Sequence, residues 1–401
     1  MAHFWLGCCA AVVLIVALAI EAVVQERLWI RYAMWSCMYA GVSVRDMWHN
    51  PVDEEYQEFL DELPITRFSL DVGQRVFFGP ERTQKVPSLM DRFDWRVDHF
   101  PFGGWPMRPE VKNFVRSLGK TPDVRRQEDP FTVYCAPHAL QSLILEASHL
   151  DPHRASSRTL VIAGTDFHLS DALGANAKER NATLSALRQR FGRILAEAKD
   201  FDCEGVETMP MGLPENYLRN VDVPSVKGAV AAASLNKSRS VVAAWGKWMK
   251  ICESSTLARH DLVACTSRSN ARQWAQSEAA KAVGVEVRSI QPQDWWREIS
   301  TYRFLMAPLG AGVQSCKVIE ALMVLTIPIV ERRPYPVHGD LVRMGFPIVV
   351  VDDWSEVSIP GRLEQWWEEL SPRLQHFREV CLSADGYWNY AAGLPNGCGK
   401  P

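Results

Sequence analysis

The segment PLGAGVQSCKVIE, residues 308–320, combines a glycine turn with charged side chains at the start of a helical apolar pattern. Gly310 and Gly312 permit tight backbone curvature after a strand-like run. Ser315 suits the N-cap of the helix that follows. The N–H groups and the dipole at a helix start attract anions, phosphates above all, so the segment predicts an anion site.

Lys317 and Glu320 are three residues apart and therefore share one face of that helix. The lysine places a positive charge in the first turn, where it opposes the helix dipole unless an anion is present. The carboxylate can accept hydrogen bonds from two hydroxyl groups, as from a ribose. The pair predicts phosphate at the turn and ribose at the carboxylate. The alternative is a surface ion pair, which would contribute at most about 1 kcal/mol.

Other phosphate-binding patterns are missing from the sequence. The dinucleotide fingerprint GxGxxG fails because Ser315 stands at its last glycine, and no GxxxxGK[ST] loop occurs. These absences disfavour an unrelated α/β enzyme with a dinucleotide cofactor, and an NTPase. The chain has 401 residues and a net charge of −3, which suits about two globular domains and no nucleic-acid partner.

The elements that position these residues follow a regular rhythm from residue 131. Strand-like runs occur at 131–135, 158–164, 240–246, 285–290, 302–308, 327–331 and 347–353, and helical runs at 139–150, 177–200, 257–267, 294–301 and 316–326. Such alternation predicts a parallel α/β sheet. A turn-rich stretch near 215–238 separates two halves, which would leave a ligand cleft between them.

The N-terminus differs from the rest of the chain. Residues 4–24 read FWLGCCAAVVLIVALAIEAVV, and only Glu21 interrupts this run, which is long enough to span a membrane. We predict an uncleaved signal-anchor; a cleaved signal peptide is the alternative. The expected domains are therefore an anchor with its flank at 1–30, an N-terminal domain with an irregular start at 31–225, and a C-terminal domain at 226–401.

Glycosylation sequons and cysteines also bear on the compartment. The sequons NAT at Asn181 and NKS at Asn236 fit a lumenal body. No CxxC occurs, which disfavours a structural zinc site. In a lumenal compartment some of the cysteines outside the apolar run could pair. Buried thiols are the alternative for those in apolar runs, such as Cys135 and Cys265.

The wider pattern around the glycine turn resembles a known family. P-x-G-x-G, Lys317, Glu320 and the following EALMVLTIPIV and FPIVVVDDWSEV are similar to the C-terminal half of exostosin-like glycosyltransferases. RSVVAAWGKWMK (239–250), ARHDLVAC (258–265) and TLVIAGTDFHLSD (159–171) are similar more loosely. The resemblance covers about 155–360.

The resemblance implies a GT-B fold, in which two Rossmann-like domains face each other. The donor, expected to be a UDP-sugar, would bind the C-terminal half, and a glycan or glycoprotein acceptor would bind the N-terminal half. The resemblance further implies a single-pass type II protein of the Golgi or ER membrane, held through residues 4–24, with a lumenal catalytic body.

Donor-binding roles follow from the matched positions. They are implied for Gly246, Arg259, Gly310, Gly312, Lys317 and Glu320. The glycines would let the backbone approach the diphosphate, the basic residues would offset its charge, and Glu320 would accept from the ribose. Arg239 and Lys247 are further basic candidates beside the turn at Gly246.

An inverting transfer needs a base for the acceptor hydroxyl. Asp166 and His168 follow the strand-like LVIAG and are the candidates, with His99 a weaker one. The leaving diphosphate needs positive charge or helix N–H groups rather than a metal, so we expect no metal and no other cofactor. The pair at 352–353 resembles the metal-binding carboxylates of other glycosyltransferases, but its position favours helix capping.

Departures from the family pattern motivate a second hypothesis, a catalytically inactive lumenal scaffold or glycan-binding protein. Leu309 and Lys317 stand where many members have arginine, and lysine holds phosphate only as a point charge. Leu325 and Thr326 replace a turn that usually contains glycine. By analogy, YWNYAAG (387–393) would close a C-terminal helix over the other domain. At least one tryptophan of the pair at 295–296 is expected in the core.

Overall fold

Short apolar strands alternate with helices through the part of the chain that the computed structural model describes. That part comprises residues 92–97, 124–164, 168–212, 223–244, 259–310, 312–395 and 398, all within one compact unit. The strands form two sheets, in which nearly all pairings are parallel. The predicted α/β class is confirmed.

The first sheet has six strands within the described residues, in the order β2-β1-β3-β4-β5-β6. Their bounds are β1 Trp95–Val97, β2 Val124–Arg125, β3 Thr132–Cys135, β4 Thr159–Ile162, β5 Arg193–Ala196 and β6 Val206–Thr208. Only β2 runs antiparallel to its neighbour, β1. The central strands β3 and β4 are buried throughout, as parallel strands covered on both faces must be.

Three α-helices accompany this sheet in the described segments: α1 Leu140–Glu146, α2 Leu169–Leu173 and α3 Ala177–Arg188. The predicted helix over 177–200 is therefore too long, because its second half contains β5. The chain turns at Gly192, where an added Cβ would lie 2.6 Å from the Cα of Ser156. The apolar run that follows then pairs with β4 and β6. Sheet pairing thus overrides the local helical pattern.

The second sheet has five described strands, all parallel, in the order β11-β10-β9-β7-β8. Its strands are β7 Arg239–Ala243, β8 Val285–Val287, β9 Tyr302–Met306, β10 Ile327–Glu331 and β11 Val349–Val351. The helices are α4 Val223–Ala232, α5 Arg259–Ala275, α6 Glu278–Ala282, α7 Trp295–Ile299, α8 Cys316–Met323, α9 Val337–Arg343, α10 Arg362–His376 and α11 Ala384–Ala392. Every strand predicted between 240 and 353 is present; β10 has the predicted bounds, and the other strands are shorter than predicted.

Helix α11 packs against the first sheet, as predicted. The Tyr387 hydroxyl donates to the carbonyl oxygen of Met211 at 2.7 Å, and the Tyr390 hydroxyl donates to that of Thr208 at 2.9 Å. Arg193 of β5 donates in return to the carbonyl oxygen of Tyr390 at 2.6 Å. These bonds fasten the end of the chain to strands β5 and β6.

The cysteines bear out the prediction of pairing. Cys381 and Cys398 form a disulfide, and Cys265 is also disulfide-bonded. Cys203 is a buried thiol. The side chains of Asn181 and Asn236 are both exposed.

Residues 4–24, where we predict a membrane anchor, lie outside the described residues. Over the residues that the structure does describe, no helix combines the length and apolar character needed to cross a membrane.

Candidate functional site

The carboxyl ends of the two sheets meet at Gln314, which lies in the segment between β9 and α8. Its side-chain amide donates to the carbonyl oxygens of Glu197, at 2.6 Å, and Met209, at 2.7 Å. Its amide oxygen accepts from the N–H of Met211 at 2.9 Å. Glu197 directly follows β5, and Met209 and Met211 follow β6. The predicted anion turn therefore lies against the carboxyl edge of the first sheet.

A second connection between these edges is a buried ion pair. The ammonium group of Lys199, after β5, lies 3.0 Å from a carboxylate oxygen of Asp340 in α9. Thr208 donates to the same carboxylate oxygen, and Arg343 pairs with the other one. Lys199 and Asp340 are both nearly inaccessible. Helix α9 is thus fixed to the first sheet beside Gln314.

The glycine turn itself is held by α5. The N–H of Leu309 donates to the hydroxyl oxygen of Ser267 at 3.0 Å, and Arg268 donates to the carbonyl oxygen of Leu309 at 2.9 Å. The side chain of Leu309 is only 2% exposed, so it faces the interior where many exostosin-like members have arginine. Gly310 and Gly312 lie in this turn and are buried.

Lys317 and Glu320 both contact Trp295, the first residue of α7. The Lys317 ammonium nitrogen lies 3.7 Å from the indole ring centroid, within range of a cation–π interaction. The indole N–H donates to Oε2 of Glu320 at 2.6 Å. No ion pair joins Lys317 and Glu320, whose side chains both lie in the described part of the chain. The surface ion pair considered from the sequence is therefore wrong.

Glu320 is enclosed by the protein. Its exposed fraction is 0%, and its second carboxylate oxygen, Oε1, has no hydrogen-bond partner in the structure. An unpaired buried oxygen costs free energy, and such atoms are uncommon in native proteins. Ser315 occupies the N-cap of α8 as predicted, but its side chain makes no capping bond. The role of Glu320 toward ribose stays a prediction.

A buried network extends from the turn to β10. Ser267 and Trp354 both donate to the carboxylate of Glu331. Burial raises the pKa of this carboxyl group, and the two hydrogen bonds only partly oppose that shift. The ring nitrogen Nδ1 of His338 lies 2.7 Å from the carbonyl oxygen of Glu331, and complete burial lowers the pKa of His338 to about 4.

On the side of the first sheet, His168 lies beside Asp200, which follows β5. The distance from Nδ1 of His168 to Oδ2 of Asp200 is 3.5 Å, and Ser170 donates to the same carboxylate through its N–H and hydroxyl groups. Burial alone would raise the pKa of Asp200, but these hydrogen bonds hold it below its usual value. The His168 ring also contacts Tyr335 of the second half edge-on, with centroids 5.6 Å apart.

Several predicted site residues lie elsewhere or outside the described region. Asp166, Gly246 and Lys247 are not among the described residues, and Arg259 is described only as the first residue of α5, without its side chain. Arg239 begins β7, at the amino edge, where it pairs with Glu286 and Glu298. Of the predicted site residues, the structure brings Lys317 and Glu320 together at Trp295 and places His168 beside Asp200.

The sequence reasoning missed Asp200, Gln314 and the contact role of Trp295. Asp200 was hidden inside the overlong helix at 177–200. Correct placement of β5 would have put it directly after a strand, where ligand-binding residues collect in parallel sheets. Trp295 and Trp296 are both buried, which confirms that at least one belongs to the core. Neither therefore presents an open face to a sugar.

The carboxylate pair at 352–353 behaves as the sequence predicts. The Asp353 side chain accepts from the N–H of Ser355. The N–H of Asp353 in turn donates to the carboxylate of Glu356, and the arrangement is a capping box. Asp352 pairs with Arg332 at 2.8 Å. Within the described residues no cluster of three or more metal-ligating side chains occurs.

No protein-family model matches the chain, and no curated protein matches it at a significant level. The resemblance to exostosin-like glycosyltransferases therefore stays a prediction from the quoted motifs.

Proposed function

We propose that this protein is a GT-B-type glycosyltransferase that moves a sugar from a nucleotide-sugar donor to a hydroxyl group of a glycan or glycoprotein, with inversion. The observation that carries the proposal is the contact between the two carboxyl edges at Gln314. Ligands of parallel α/β sheets bind at such edges. The motif resemblance supplies the reaction class.

The donor would bind the second half, at the turn and α8. The N–H groups at the start of α8, together with Lys317, would meet the charge of the diphosphate. Oε1 of Glu320, which has no partner, would accept a ribose hydroxyl. Because Glu320 has no exposed surface, ribose reaches it only if neighbouring side chains move on binding. Loop rearrangements of this kind accompany substrate binding in many enzymes.

The acceptor would bind the first half, near His168. Asp200 holds the histidine ring through Nδ1, an arrangement that suits a general base. His168 would take the proton of the acceptor hydroxyl, whose oxygen attacks the anomeric carbon. The bond from that carbon to the diphosphate oxygen breaks, and the negative charge stays on the leaving nucleotide. Asp166 remains the alternative base.

The proposed compartment is the lumen of the Golgi or ER, with residues 4–24 as a type II anchor. The Cys381–Cys398 disulfide supports an oxidising compartment. Asn181 and Asn236, both exposed, are open to glycosylation there.

The direct test is thermal unfolding of the full-length protein with UDP, GDP and a panel of their sugars at millimolar concentration. A ligand at 100 times its dissociation constant stabilises by about 2.7 kcal/mol, an easily measured shift. We expect one nucleotide family to stabilise the wild type. Lys317→Gln and Glu320→Gln should reduce that stabilisation, because each removes a charge from the proposed donor site.

The chain offers a matched control on α6. Glu278 and Lys281 have the same three-residue spacing and form an exposed ion pair at 2.7 Å. Glu278→Gln and Lys281→Gln should leave nucleotide stabilisation unchanged. If no nucleotide stabilises the wild type, the donor site is not where we propose it.

A catalytically inactive glycan-binding or scaffold protein is the second candidate. The burial of Leu309 favours it, because this side chain cannot contact phosphate as arginine would. Measurable transfer or slow hydrolysis of any nucleotide sugar would exclude this candidate.

A further inference from the structure

Trp295 contacts both charged residues of the proposed donor site. Its ring lies 3.7 Å from the ammonium nitrogen of Lys317, and its N–H donates to Glu320 at 2.6 Å. It belongs to α7, which precedes β9, and to no part of the quoted family motif. The indole itself is only 4% exposed. Trp295 therefore contacts the site from inside the protein.

The geometry explains why Lys317 and Glu320 do not pair. Residues three apart on one helix face ordinarily attract each other directly. Here the ammonium group of Lys317 lies over the face of the indole ring, and the indole N–H donates to one carboxylate oxygen of Glu320. The terminal torsion of a glutamate is soft, so a single strong donor decides how the carboxylate is turned. With Oε2 held by the indole, Oε1 is the oxygen left with no partner.

We propose that Trp295 is a positioning residue for the donor. It holds Glu320 so that Oε1 can accept a ribose hydroxyl, and it keeps Lys317 apart from that carboxylate so that the ammonium group can meet the diphosphate. This inference rests on the proposed function of the site. It adds a residue from outside the motif and predicts that the indole N–H controls recognition of the ribose.

Its neighbour Trp296 provides a matched control. Trp296 lies on the same helix and is 2% exposed, and its indole N–H has no hydrogen-bond partner. Trp296→Phe removes part of a buried ring and an N–H group that bonds to nothing, so it measures the effect of the lost ring volume. Trp295→Phe makes the same change, keeps an aromatic ring beside Lys317 and also removes the donor to Glu320. Comparison of the two variants therefore separates the hydrogen bond to Glu320 from the loss of ring volume.

The experiment is calorimetric titration of the full-length protein with UDP, GDP and the corresponding 2′-deoxy nucleotides. In the wild type the nucleotide that binds should bind about tenfold more tightly than its 2′-deoxy form, since one hydrogen bond to a charged group is lost. Trp295→Phe should weaken nucleotide binding about tenfold and remove the preference for the 2′-hydroxyl. Trp296→Phe should change neither quantity.

Two further variants complete the test. Once Glu320→Ala is present, adding Trp295→Phe should weaken binding no further, because the two residues act through one contact. Trp295→Leu serves if the phenylalanine variant does not fold, because leucine also has no donor for Glu320.

Several results would overturn the inference. If Trp295→Phe binds like the wild type, or loses affinity equally for nucleotide and 2′-deoxy nucleotide, Trp295 is only structural and the proposed function still stands. If the wild type binds no nucleotide, the proposed function and this inference fall together.

Discussion

At the scale of single residues, Leu325 adopts a backbone conformation that is unusual for a residue with a side chain. Its φ is +57°, in the left-handed region that glycine usually occupies. This conformation costs a non-glycine residue about 1–2 kcal/mol. The side chain is 2% exposed, and burying a leucine stabilises by roughly 1.5–3 kcal/mol. Burial therefore offsets the strain.

His338 gives the first prediction, on pH dependence. Its pKa is about 4 in the folded protein, against 6.5 for a free histidine, because it is completely buried. Between pH 4 and pH 6.5, His338 is protonated in the unfolded chain but not in the folded protein. The free energy of unfolding should therefore fall as the pH drops from 6.5 to 4, and it should level off below pH 4. The loss attributable to His338 is at most about 3 kcal/mol.

Urea unfolding between pH 4 and 7 measures this loss. His338→Asn keeps a donor toward the carbonyl oxygen of Glu331 and cannot titrate, so its stability should depend less on pH. The prediction would be contradicted if the free energy of unfolding depended on pH equally in the wild type and the variant.

At the scale of elements, the glycine turn is held by parts of the chain remote in sequence. The hydroxyl of Ser267 in α5 accepts from the turn at Leu309 and donates to Glu331 at the end of β10. Trp354, in the short 3₁₀ helix after β11, donates to the same carboxylate. Movement of the turn therefore involves α5 and β10 together.

Helix α11 gives the second prediction. It lies inside the loop closed by the Cys381–Cys398 disulfide, whose cysteines are 17 residues apart. Closing a loop of this length stabilises a protein by about 3 kcal/mol. Cys398→Ala should lower the free energy of unfolding by about that amount, as measured in urea. Reductant should lower the free energy of unfolding of the wild type at least as far, because it also reduces the disulfide of Cys265.

Cys203→Ala is the control, because Cys203 is a buried thiol outside any disulfide. Cys203→Ala should lower the free energy of unfolding clearly less than Cys398→Ala does. If the two variants lose equal stability, the disulfide does not hold α11 in place.

At the scale of the whole compact unit, several contacts between described residues join the two halves. They include the amide of Gln314, the Lys199–Asp340 ion pair, the edge-on rings of His168 and Tyr335, and the tyrosines of α11. The first two lie at the proposed cleft. A ligand that opens the cleft must therefore break polar contacts in which both partners are buried.

The third prediction concerns the Lys199–Asp340 pair. Asp340→Asn leaves the Lys199 ammonium buried without its counter-charge and should destabilise by about 3 kcal/mol or more. Lys199→Met should cost less, because Asp340 keeps Thr208 and Arg343 as partners. The double variant should be more stable than the sum of the two losses implies. Additive losses in urea unfolding would show that the two charges do not interact.

The sequence by itself determined the α/β class, the order of most strands and helices, and the capping box at Asp353. It also placed Lys317 and Glu320 on one helix face. These features follow from local causes: apolar runs, turn residues, helical periodicity and side chains that bond to nearby backbone. Where a local pattern was misleading, as at 177–200, the pairing of β5 between β4 and β6 decided the outcome.

Only the tertiary structure decided which of these groups meet. Trp295 and Glu320 are 25 residues apart, and His168 and Asp200 are 32 apart. Gln314 reaches Glu197 across a separation of 117 residues. Such contacts depend on the order of strands in each sheet and on the packing of the two carboxyl edges. Short-range propensities encode neither the strand order nor the packing of the edges, because both depend on how the whole apolar core is buried.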